Sequence, residues 1–177
     1  MQEIYIIILI AIALSMDTFS VALSLGTANI KIKKAIILSI TVGIFHFIMP
    51  LIGMKIGKNI LVLLPFDHEY FLGIIFLVLS MKMIYDLFIE KKESINLNIL
   101  GIIVFSLTVS FDAFTTGLGL IAITNNILLS ISIFMIISYL FTIFGILIGK
   151  YVNKKIGKLS SILGIIILII MGLYLII

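Results

Sequence analysis

Apolar residues in this sequence run in long unbroken stretches, without the alternating or amphipathic patterns of a soluble domain. Six stretches stand out: Ile4 to Leu25, Ala35 to Gly57, Tyr70 to Phe88, Asn98 to Ala122, Ile127 to Gly149 and Leu159 to Ile177. At roughly 1.5 Å per residue, each is long enough to cross a hydrocarbon layer about 30 Å thick. The expected fold is an all-α membrane protein of six transmembrane helices. Barrel strands are excluded because they read as alternating segments of roughly ten residues. The abundant isoleucines do not argue otherwise, since lipid and tertiary context override a small helix-propensity deficit.

The stretches fall into two similar halves, residues 1–90 and 91–177. SMDTF (Ser15 to Phe19) returns as SFDAF (Ser110 to Phe114), and LIGMKIGK (Leu51 to Lys58) returns as IFGILIGK (Ile143 to Lys150). LGIIFLVLSM (Leu72 to Met81) returns as LGIIILIIMG (Leu163 to Gly172). Three crossings are an odd number, so the second unit must enter from the opposite face. The expected architecture is two inverted-topology three-helix repeats about a pseudo-two-fold axis in the membrane plane.

Composition makes lipid the solvent: of 177 residues, 63% are hydrophobic and 11% charged, more apolar surface than one soluble core of this size can hide. The net charge of +4 would suggest nucleic acid for a soluble protein, but here the basic residues sit between the stretches and report orientation. Lys31, Lys33 and Lys34 follow the first stretch, Lys91 and Lys92 the third, and Lys150, Lys154, Lys155 and Lys158 the fifth, all on one side. The other side offers Lys55 and Lys58 with Glu3 and the PFDHEY segment. Both termini are therefore expected outside the cytoplasm. The opening MQEIYIIILI lacks a basic start and a cleavage site, so the first helix is expected to stay in the mature protein. Without cysteine there is neither a disulfide nor a thiolate metal site.

Candidate chemistry lies in the charges that interrupt the apolar stretches, each costing about 2.5 to 3.5 kcal/mol at a helix centre. Asp17 and Asp112 hold equivalent positions near the midpoints of the first and fourth stretches. On an unbroken helix, Ser20 and Ser24 share the face of Asp17, and Thr108, Thr115, Thr116 and Gly119 share that of Asp112. His46 sits at the centre of the second stretch, and Pro50, four residues on, cannot bond its carbonyl, so a kinked or broken helix is expected there. Ser138 and Thr142 stand at the matching positions of the second half. Lys82, with Asp86 one turn later, either extends toward the cytoplasm or serves as internal counter-ion of an aspartate until a cation arrives. Gly53 with Gly57, and Gly145 with Gly149, form small-xxx-small pairs that bring helices close. Their GxxxGK spelling is one residue short of a phosphate loop and follows no strand, which excludes nucleotide binding. His68, between Asp67 and Glu69, reads as part of a solvated outer loop.

Carboxylates, hydroxyls, a carbonyl and an imidazole make an oxygen-rich site suited to manganese, magnesium or ferrous iron, with Met16 and Met49 as packing rather than ligands. Asp17, Asp112 and His46 are the candidate metal ligands. Expelling a divalent ion against 100 mV costs about 4.6 kcal/mol, twice the 2.3 kcal/mol per charge, so export needs a coupling ion, most simply protons exchanged on Asp17 or Asp112. Import would need none, and these residues alone leave direction open.

SMDTF with its repeat SFDAF, MPLIG (Met49 to Gly53), MKMIYD around Lys82 and GKYVNKKIGK (Gly149 to Lys158) resemble the MntP family of bacterial manganese efflux pumps over nearly the whole chain. The resemblance implies Mn2+ export across the cytoplasmic membrane, with Asp17 and Asp112 as the family's intramembrane acids. His46 departs from the glutamine or glutamate expected there, and imidazole shifts preference toward iron, cobalt or zinc. The expected partners are a divalent metal ion and the bilayer, with no cofactor beyond the transported ion, no nucleic acid and no nucleotide; oligomeric state stays open. Two alternatives remain: an intramembrane aspartyl protease, which would also carry two buried aspartates but for which the GxGD segment is missing, and a non-transporting scaffold of the sporulation-associated branch.

Overall fold

A computed structural model of the chain describes residues 2–28, 30–63, 65, 67–88, 98–151 and 155–177, with the side chains of 2, 68, 155 and 156 left aside. The side chains of His68 and Lys155, the basic residues Lys91, Lys92 and Lys154, and the boundary between residues 90 and 91 lie outside the described part. Among the described residues all regular structure is helical. The elements are α1 (Gln2–Gly26), α2 (Ile32–Leu61), α3 (His68–Phe88), α4 (Ile99–Val109), α5 (Phe111–Leu120), α6 (Ile127–Gly149) and α7 (Lys155–Ile176). The fourth span is α4 and α5 together, so six membrane-length apolar helices result, within a few residues of the expected bounds. The protein is a multi-pass membrane protein.

Side-chain size, more than polarity, decides which face of each helix points inward. Along α2, Ile32, Ile36, Ile40, Ile44, Ile48, Ile52 and Ile56 form an outward row, while Ala35, Ser39, His46, Pro50, Gly53 and Gly57 are buried. Lipid solvates isoleucine as well as a core does, so association is driven by close packing of small residues and by polar contacts. The Gly53 and Gly57 pair meets α5: a Cβ on Gly53 would stand 3.0 Å from the Cα of Gly117. The Gly145 and Gly149 pair meets α1, where a Cβ on Gly145 would stand 2.7 Å from the Cβ of Ala22. Both small-xxx-small pairs therefore seat helices at close range, as their spacing led us to expect.

The main packing partners are α1 with α6 and α7, α2 with α5 and α6, and α3 with α7 and α5. Each of these pairs joins a helix of residues 1–90 to one of residues 91–177. The scheme is unchanged when the first, second and third spans are exchanged for the fourth, fifth and sixth. A large apolar cluster, including Ile7, Ile10, Leu72, Phe76, Phe134 and Leu168, fills the interior, and a second around Leu38, Val42, Ile102, Phe105 and Ile146 lies beside the early part of α2.

Candidate functional site at the centre of the fourth span

The fourth span is interrupted for one residue at its middle. Ser110 takes φ −95° and ψ 0°, ending α4 and opening α5, a sparsely populated backbone region where helices are interrupted. Serine weakens a helix by offering its hydroxyl as an alternative partner. Here the hydroxyl does not cap α5; it lies 2.7 Å from Nδ1 of the buried His46 on α2. The same Nδ1 is 3.0 Å from the carbonyl oxygen of Val42, which can only accept, so the tautomer that satisfies both contacts carries its hydrogen on Nδ1. The lone pair then resides on Nε2.

The interruption puts Asp112 in the first turn of α5, at mid-span, where backbone amides and the positive end of the helix dipole favour a carboxylate. Lys82 of α3 pairs with it, its Nζ on Oδ1. The two ends differ in burial: 11% of the Asp112 side chain is exposed against 46% of that of Lys82. One turn beyond Asp112, the fully buried Thr116 points a hydroxyl that has no partner among the described residues. Ser106 on α4 does the same one turn before Ser110. A buried unmatched hydroxyl costs roughly 1 to 3 kcal/mol, so that of Thr116, one turn from the carboxylate on the same helix face, asks for a ligand.

The equivalent place in the first span is built from matching positions. Ser15 Oγ lies 3.0 Å from Ser138 Oγ on α6, just as Ser110 meets His46 on α2. Asp17 is half-buried two residues on and is itself engaged by other groups. Ser160 of α7 donates to the carbonyl oxygen of Met16 at 3.0 Å and reaches its sulfur at 3.4 Å. Ser20 faces Gly157 at the start of α7.

The sequence of residues 29–176 fits the profile of a family described as "Putative manganese efflux pump". The chain belongs to the MntP family. Relatives from Bacillus thuringiensis (strain Al Hakam), Bacillus cereus (strain AH820) and Bacillus anthracis bear that description, each 36% identical over 176 residues, which is 98% of this chain and 96% of the relative. No solved structure matches the chain. A pump family is not an enzyme family, and the aspartyl-protease alternative falls with it.

Seen on this MntP chain, the expected site residues separate into groups. Asp112, Lys82, Thr116 and His46 gather about the break at Ser110. Thr108 and Thr115 do not: Thr108 is exposed and donates to the carbonyl of Val104 at 2.8 Å, and Thr115 turns back to the carbonyl of Phe111 at 3.4 Å. Asp86 is half-buried and is itself engaged. α2 is helical through Pro50, which is buried against Gly117, so of the kink or break expected there a full break does not occur; the one-residue interruption lies in the fourth span. Among the described residues no three His, Asp or Glu side chains form a ready metal cluster. Sequence reasoning passed over Ser106, Ser110, Ser15 and Ser160; the available signal was that serines facing inward in an apolar span must find partners.

Proposed function

We propose that this chain exports divalent metal ions from the cytoplasm, Mn2+ foremost, in exchange for protons, through a mid-membrane site that includes Asp112, Asp17 and His46. The observation that carries the reading is the carboxylate of Asp112, buried at mid-span at a helix interruption with the unmatched hydroxyl of Thr116 one turn on. Half-helix ends and oxygen ligands at this depth are how secondary transporters hold cations. Membership of a manganese efflux family supports the choice of ion and direction. The histidine supports a ligand role in a specific way: metal-binding imidazoles commonly donate one N–H to a backbone carbonyl and present the other nitrogen, and His46 has that carbonyl in Val42.

The exchange of packing partners between halves supports two inverted repeats of residues 1–90 and 91–177, related by a pseudo-two-fold axis near which Ser15–Ser138 and Ser110–His46 correspond. In this reading, reorientation rocks the pairs about the site. The lysines after the first, third and fifth spans support both termini on the outer side of a bacterial cytoplasmic membrane. Export of a divalent ion against 100 mV costs about 4.6 kcal/mol, and a tenfold proton gradient supplies about 1.4 kcal/mol per proton in addition to the potential.

Expression in manganese-sensitive cells tests the reading. Intracellular manganese is expected to fall with the wild-type chain and to stay high with Asp112→Asn or Asp17→Asn. Unchanged metal content in cells carrying the wild-type chain would sink manganese export.

A further inference from the structure

We propose that Lys82 is a tethered cation that takes the substrate's place on Asp112 whenever the site is empty, and that a divalent ion binds by displacing it. The inference rests on the reading of Asp112 as a cation ligand. Its first support is the ion pair itself, Lys82 Nζ on Asp112 Oδ1. Its second is asymmetry. In the register that aligns residues 72–81 with 163–172, Lys82 corresponds to Leu173, so this charge belongs to one half alone and the fold does not need it twice. The third is the difference in exposure: Asp112 is held by the protein at 11%, whereas 46% of the Lys82 side chain is uncovered. A lysine ammonium rides on a flexible four-carbon stem and leaves without disturbing the backbone.

The physical consequence follows from charge. An emptied carrier must reorient with Asp112 neutralised, because a lone carboxylate in apolar surroundings is costly. Lys82 supplies that neutralisation from within the chain. An ammonium in contact with the carboxylate repels a divalent ion, so loading waits for the pair to open, and apparent affinity falls by the fraction of time it is open. On the releasing side the returning lysine competes the ion away. Lys82 thus weakens binding and hastens release, and it is a coupling residue rather than a ligand.

The test uses the full chain in proteoliposomes, with initial transport rates measured against concentration of Mn2+, Fe2+, Co2+, Zn2+ and Mg2+. For the transported ion, Lys82→Gln is expected to lower the half-saturating concentration on the order of tenfold, equivalent to about 1.4 kcal/mol, and to lower the maximal rate as release slows. Lys82→Arg, which grips a carboxylate with two donors, is expected to raise half-saturation. A purely structural lysine would reduce rate without this opposite movement of half-saturation. In the detergent-solubilised wild-type chain, Mn2+ is expected to raise amine acylation at Lys82, read by mass spectrometry, which covers the case of variants that fail to fold. Half-saturation equal to or above wild type in Lys82→Gln, or acylation that Mn2+ leaves unchanged or lowers, overturns the proposal alone. A wild-type chain that moves none of the five ions overturns the transport reading together with it.

Discussion

Replacing Gly117 by alanine tests whether the approach of α2 to α5 shapes the site. A Cβ there would lie 2.6 Å from the carbonyl oxygen of Pro50, 2.8 Å from its Cα and 3.1 Å from its carbonyl carbon. All three are backbone atoms, so no side chain can swing aside. Restoring ordinary contact near 3.4 Å requires the helices to part by about 0.8 Å, and overpacking of this kind costs about 1 to 3 kcal/mol, here toward the upper end. Alanine returns about 1 kcal/mol through its better helix propensity. The net loss is about 2 kcal/mol, which for a chain of this size lowers the melting temperature by roughly 4 to 8 °C. The same 0.8 Å opening would stretch the 2.7 Å contact between Ser110 and His46 to about 3.5 Å, the edge of hydrogen bonding, so transport is expected to fall with stability. Thermal unfolding in detergent, followed by far-ultraviolet circular dichroism, reads the first effect. Gly157→Ala is the control: its nearest neighbour is the rotatable Ser20 hydroxyl at 3.1 Å, and it should melt close to wild type. A Gly117→Ala chain that melts at or above wild type would refute the reasoning.

Thr116→Val is isosteric and removes one unmatched hydroxyl, so stability should rise by roughly 1 kcal/mol while transport falls if the hydroxyl serves the ion; unchanged transport in a stabilised chain would make Thr116 structural. Ser110→Ala leaves Nδ1 of His46 with Val42 alone and is expected to cost about 1 kcal/mol in thermal unfolding, together with a lower transport rate; a variant as stable and as active as wild type would show that the contact across α2 and the fourth span is idle. His46→Gln exchanges a nitrogen ligand for an oxygen one, and competition between Mn2+ and Zn2+ should shift toward Mn2+; identical selectivity would leave His46 a packing residue.

What the sequence discloses here depends on how local each cause is. Span length and the paired glycines are local, and both stand in the structure close to where hydropathy and spacing put them. Lys82 is legible in part: a charge inside an apolar stretch must find a partner, but nothing in the neighbourhood of residue 82 says whether Asp112 or another acid answers it. The break at Ser110 is illegible because serine is not a helix breaker by itself; its hydroxyl is drawn across to His46, 64 positions away. Thr108 shared the face of Asp112 by spacing alone, yet its hydroxyl is satisfied within its own helix, on the carbonyl of Val104. Pro50 was expected to kink or break its helix, yet α2 stays helical through it, packed against Gly117.

The interleaving of the two halves has a consequence for synthesis. With the first three helices made, the chain lacks the main surfaces against which they pack, and the Gly53 and Gly57 ridge and Lys82 wait without Gly117, Leu118 and Asp112. At 5 to 20 residues per second the remaining half takes roughly 5 to 20 s to emerge. During that time the membrane-insertion machinery, and not the fold, must shelter the polar groups. α7, made after the other described helices, lies against both α1 and α3. A chain stopped before α7 would therefore leave one face of each of two earlier helices uncovered, a late exposure that membrane quality control would meet after the other spans have packed.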